Sequence, residues 1–369
     1  LARKFSKKGG NDLKGESAIS SWQLAVLLFL SRVMQFFLAA PQNEQPGALT
    51  AALLLPASVA VSALLLLPAY FLLRRHPDKG LLDIAGERWG GAGLVYPAAF
   101  FLFSLCVLIQ TTCAFSYFLT SVAYAQTSPW LFILLLLAVG GYAASMGYEP
   151  TARFGSFVLA ALLLALLFVG ISLWPQVQWE FLRPPSYDGW QSQLFLFINL
   201  TLGNVETAAL LFLIPAVNQN KRSVFWKWSL LSVVTLAAIF LFTAVALGDY
   251  AKSQRFPFYT VTKIAEVSIF QRLDSLHVAL WVFITLVRLA LFLEVSGKSL
   301  ARMMPKKASK YAVAVCAALA AVLSGILTEK PDVLEALGNF FAGGVPVLLL
   351  TVLLPLLLLL SCRKGGTGR

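Results

Sequence analysis

The chain has 369 residues, of which 59% are hydrophobic and 12% charged. A water-soluble domain of this size has no way to hide so much apolar surface, so the composition excludes an ordinary soluble protein and points to a polytopic helical membrane protein. The formal net charge of +12 is no sign of nucleic-acid binding, because the cations cluster in short loops between apolar runs, where membrane topology puts them.

A crossing helix needs roughly 20 apolar residues. After a basic tail, residues 1–18, the apolar runs predict ten spans: 20–40, 47–74, 93–124, 130–147, 151–174, 191–217, 223–247, 271–297, 309–328 and 335–361. One transmembrane domain, 19–362, and a short tail, 363–369, complete the chain. Lys and Arg set the orientation. Placing Arg3, Lys4, Lys7, Lys8 and Lys14 in the cytoplasm also places Arg74, Arg75, Lys79, Arg153, Lys221 and Arg222 there. The basic segment 298–310, Arg363 and Lys364 fall on the same side, so both termini are expected to be cytoplasmic. Trp22, Trp130, Trp174, Trp190, Trp226 and Trp228 lie near predicted span ends, as an interfacial belt requires.

The order of elements repeats. Spans one and two precede an amphipathic piece, DKGLLDIAGERWGG (78–91), and three more spans. Spans six and seven precede DYAKSQRFPFYTVTKIAEVSIF (249–270) and three more. Five spans per half is odd, so the halves (about 19–174 and 191–361) enter from opposite sides as an inverted repeat. This is a secondary-transporter layout, with a midplane site where the first helix of each half is interrupted.

Three ionisable residues lie deep. Arg32 is ten residues past Trp22, roughly 15 Å into the bilayer; Glu206 is mid-span six; Arg288 is in span eight. Charges at such depth face the protein interior or a wet cavity and are functional candidates. Around Glu206 stand Asn199, Gly203 and Asn204, poor helix formers that predict a local unwinding. Two Arg and one Glu leave one positive charge that a substrate carboxylate would match. This suggests an amino acid held between spans one, six and eight. The alternative is a permanent structural ion network without ligand. Gln35 lies beside Arg32. Gln110, Cys113 and Tyr117 share one face of span three, for cavity lining or for packing. His277, Trp281, Thr285 and Arg288 share a face of span eight, and Trp281, far from a span end, suits an inward role.

Other features read as structural. Cys106, Cys113, Cys316 and Cys362 form no disulfide framework. Glu149 and Arg153 suit a surface i,i+4 pair. His76 and His277 are the two histidines, too few for a His/Cys metal site, and there is no phosphate-binding G-x-x-x-x-G-K-[ST] loop. No nucleophile–base constellation is visible. Neither an enzyme nor a bound cofactor is expected.

ISSWQLAVLLFL (19–30), GYEPTARFG (147–155), GNVETAALLFLIP (203–215) and FPFYTVTKIAEVSIFQRLDSLHVALWVF (256–283) resemble the spore germination permease family. The last stretch, with its Pro, Arg272, Asp274 and Trp281, is the most specific. The resemblance covers nearly the whole chain. It implies membership of the amino acid–polyamine–organocation superfamily, with the leucine-transporter-like inverted-repeat fold. It also implies a B-type subunit of a nutrient germinant receptor in the inner spore membrane, sensing a small germinant, often an amino acid, beside an A-type membrane subunit and a C-type lipoprotein. Glu206 falls at the family's Gly-x-x-Glu-like position, and Arg288 where a basic residue is usual. The family's Gly-containing break in span one is absent from LSRVMQFFLAAP (30–41).

Overall fold

A computed structural model describes residues 19–38, 47–76, 79–182, 189–218, 220–265 and 273–364. Within them the protein is helical, with one isolated parallel bridge, Ile19 to Val217. The first half runs α1 (Ser21–Leu38), α2 (Ala48–Leu65), α3 (Leu67–Arg75), α4 (Leu81–Trp89), α5 (Val95–Val122), α6 (Pro129–Ser145) and α7 (Tyr148–Leu173). The second runs α8 (Trp190–Leu202), α9 (Glu206–Leu213), α10 (Lys221–Leu247), α11 (Pro257–Ile264), α12 (Leu273–Met303), α13 (Ala312–Thr328), α14 (Pro331–Ala342), α15 (Val345–Leu348) and α16 (Leu354–Lys364).

Seven helices among the described residues are long and apolar enough to cross a membrane, and a bent pair, Pro331–Ala342 with Val345–Ser361, makes an eighth. The first and fourth expected spans are shorter apolar helices, α1 and α6. Length and composition therefore qualify seven or eight helices as crossings and do not confirm the expected ten. The amphipathic pieces are present as α4 and α11, each packed by one apolar face: Leu81, Leu82, Ile84 and Ala85 in α4, Phe258, Tyr259 and Val261 in α11.

Besides the sixth, two predicted spans are interrupted. The second divides at Leu66, just ahead of Pro68, into α2 and α3. The last bends by 45° between α14 and α15. Gly344 there has φ +76°, a left-handed angle that glycine adopts without steric cost. Leu349–Leu353 then forms a π turn.

α1 and α12 make the centre. α1 is apolar all round from Leu24 to Leu30, and its residues Leu24 to Ser31, Val33 and Met34 are all fully buried, as such a helix requires. α12 packs on α1, α5, α6, α7, α11 and α13. Its 31 residues extend about 46 Å, longer than a bilayer's apolar core. Of the tryptophans expected near span ends, Trp22, Trp130, Trp174, Trp190 and Trp226 are exposed, and Trp228 is buried against Phe225.

Candidate functional site

Span six breaks where its Gly and Asn are. α8 stops at Leu202, Gly203 to Val205 leave the helix, and α9 starts on Glu206. A β-carbon on Gly203 would lie 2.5 Å from the Asn199 carbonyl and 2.8 Å from its side-chain oxygen, so the chain closes on itself too tightly there for a larger residue. The break frees backbone carbonyls, and side chains of α1 cap them. Arg32 Nη2 donates to the Leu200 carbonyl at 2.6 Å, and Gln35 Nε2 donates to the Gly203 carbonyl at 2.8 Å. α1 itself is continuous from Ser21 to Leu38, so one of the two repeat-initial helices is broken and the other supplies its caps.

Glu206 is 0% exposed. Its Oε1 accepts from Ser31 Oγ at 2.7 Å and from Arg288 Nη1 at 2.6 Å. Arg32 Nη1 stands 4.0 Å from Oε2. Arg288 also donates to the Ser31 carbonyl, to Ser31 Oγ at 2.9 Å and, through Nε, to Thr111 Oγ1 at 3.0 Å. Phe36 and Phe292 lie under the guanidinium groups of Arg32 and Arg288. Glu206 sits in the first turn of α9, where the helix dipole favours a carboxylate. Two buried guanidiniums thus face one buried carboxylate. Gln35 Oε1, Thr201 Oγ1, Asn204 Oδ1 and Glu206 Oε2 are buried at the break with no hydrogen-bond partner. Orphaned acceptors of this kind call for an explanation.

The structure brings together Arg32, Gln35, Gly203, Asn204, Glu206 and Arg288. Asn199 joins them mainly through its backbone, which accepts from Gly203 N–H. Gln110 does not join them: its amide reaches towards Gly338 of α14, and Cys113 on the same face donates to the Ser324 carbonyl of α13. That face packs helices. Trp281 is two helical turns from Arg288, fully buried and stacked on Phe37 with centroids 4.7 Å apart. Phe118 and Tyr259 complete an aromatic cluster around it. Arg272 lies outside the described residues, as does the side chain of Asp274. Ser31, Thr111 and the Leu200 carbonyl are central to the cluster and were not anticipated. Their signal was slight, since Ser31 merely adjoins Arg32 and Thr111 merely adjoins Gln110.

The fold defines the class: a permease-like integral membrane protein with the leucine-transporter-like inverted repeat. A solved Na+-coupled sialic acid symporter, in a substrate-bound outward-open state, is similar with a TM-score of 0.68 at 14% identity, covering 92% of this chain and 79% of that one. No curated protein sequence matches. Residues 19–333 match the family of spore germination proteins, and the chain belongs to that spore germination permease family.

Proposed function

We propose that this chain is the permease-like subunit of a spore nutrient germinant receptor and binds an amino acid at the α8–α9 break. The observation that carries this reading is the charge imbalance: Arg32 and Arg288 against Glu206, all buried. Arg288 donates to Glu206 at 2.6 Å and to Ser31 and Thr111, whereas Arg32 makes one carbonyl hydrogen bond and stands 4.0 Å from the acid. Arg32 is therefore the carboxylate receptor. Gln35 Oε1, Asn204 Oδ1 and Glu206 Oε2, buried acceptors without a hydrogen bond, suit the ammonium end of the same ligand. Binding favours one of two arrangements of the broken helix against α1, which is all that a receptor needs. The reading includes an A-type membrane subunit and a C-type lipoprotein as partners, the inner spore membrane as location and cytoplasmic termini. Repeat boundaries near 19–174 and 191–361 belong to it as well.

A second reading, coupled amino-acid transport, is favoured by the fold shared with a Na+-coupled symporter. Equilibrium binding of labelled amino acids to the purified chain, followed by uptake into reconstituted vesicles, separates the possibilities. Saturable binding without uptake is the expected result. Binding with concentrative uptake makes the chain a transporter. No binding by any amino acid, in a protein that unfolds cooperatively, overturns the proposal and leaves a structural subunit.

A further inference from the structure

Arginine and a carboxylate usually pair through two parallel N–H···O bonds, one from each of two guanidinium nitrogens. Arg288 does not. Three oxygens converge on its Nη1 alone: the Ser31 carbonyl, Ser31 Oγ and Glu206 Oε1. That nitrogen carries two hydrogens, so three acceptors exceed its donors, and the contacts converge on one atom instead of running along the guanidinium edge. A fourth oxygen, Thr111 Oγ1, is held by Nε at 3.0 Å. The set contains one backbone carbonyl, two hydroxyls and one carboxylate, drawn from α1, α5 and α9. It is an all-oxygen set of the kind hard cations take, and its formal charge of one carboxylate matches a monovalent ion. Ser31 Oγ spends its proton on Glu206, which leaves its lone pairs facing Nη1.

We propose that the Arg288 guanidinium is a tethered cation filling a monovalent-cation cage. It ties α1, α5 and α9 to α12 at the level of the break without any free ion. The permanently bound charge makes the packed state independent of sodium or potassium. Removal of the side chain leaves a cage that a small monovalent cation enters. This holds whatever ligand binds at Arg32.

The test is thermal unfolding of the full purified chain in detergent, at constant ionic strength, with sodium, potassium or N-methylglucamine as the chloride salt. Wild type should melt at the same temperature in all three. Arg288→Ala should melt lower and regain part of the loss, saturably, with sodium or with low-millimolar guanidinium. The gain should vanish in the Arg288→Ala/Glu206→Gln double variant, which lacks the cage charge. Arg288→Gln keeps most of the side-chain volume and takes the place of the alanine variant if that does not unfold cooperatively. A saturable, cation-specific rise in wild type overturns the proposal. So does a folded Arg288 variant that responds to no cation, or a gain that survives removal of Glu206.

Discussion

Replacing Glu206 by glutamine keeps the shape of the site and an oxygen for Ser31 and Arg288, but removes the negative charge between two buried guanidiniums. At the 4.0 Å separation of Arg32 Nη1 and Glu206 Oε2, a unit-charge pair is worth about 4 kcal/mol at an effective dielectric of about 20. Arg288 is closer, at 2.6 Å. Removing one partner of a buried ion pair costs about 3–5 kcal/mol, because the remaining charge is uncompensated. Here two charges are left, so Glu206→Gln should reach the upper end of that range. Arg288→Met leaves Arg32 and Glu206 balanced and takes the partner from the Thr111 hydroxyl, at about 1–3 kcal/mol for a buried group, while the Ser31 carbonyl keeps its place in the continuous α1 helix. Arg32→Met leaves the tight Arg288–Glu206 pair intact and loses one charge-assisted bond to Leu200, about 1.5–3 kcal/mol. The expected order of cost is Glu206→Gln, then Arg288→Met, then Arg32→Met. Equilibrium unfolding in mixed micelles, followed by circular dichroism, measures it. A Glu206→Gln cost below about 1 kcal/mol, or below that of Arg32→Met, refutes the reasoning.

Two glycines, one tryptophan and one arginine give further tests. Gly203→Ala meets backbone and side chain of Asn199 and should cost about 1–3 kcal/mol, read as a lowered unfolding midpoint. Gly344→Ala puts a β-carbon 2.0 Å from Leu202 Cβ in a left-handed conformation. It should displace the end of α8 and weaken ligand affinity as well as stability, measured by binding and unfolding on the same sample. Trp281→Ala empties a fully buried site between Phe37 and Phe118 and should cost about 3–5 kcal/mol, checked by the same unfolding assay. Arg302→Ala removes a partly exposed ion pair to Asp83 on α4 and should change stability by less than about 1 kcal/mol.

The charged centre was legible because charge in an apolar span is expensive: Arg32, Glu206 and Arg288 each stand out against their neighbours. The break was legible in the Gly203-Asn204 step for a similar reason, since it joins two poor helix formers in mid-span, whereas the stronger breaker, Pro215, stands at the span's end. The bend at Gly343-Gly344-Val345-Pro346 carries the same kind of mark, masked by the long apolar run around it. Ser31 and Thr111 were not legible. Buried small hydroxyls recur throughout the bundle, as in Ser58, Ser104 and Thr243, where each bonds its own helix. Gln110 and Trp281 show the limit of helical periodicity. It places residues on one face but does not say which helix that face meets. The face of Gln110 meets α13 and α14, while that of Trp281 and Arg288 meets α1, with the aromatic residue two turns from the charge.

The central claim is that Arg32 receives a ligand carboxylate. Titration calorimetry with an amino acid that binds, and with its carboxamide, on wild type and on Arg32→Met, tests it most directly. The account predicts that wild type prefers the acid by roughly 10- to 100-fold, the worth of a charge-assisted hydrogen bond, and that Arg32→Met binds acid and amide alike. Equal binding of acid and amide to wild type, or a preference that survives in Arg32→Met, contradicts it.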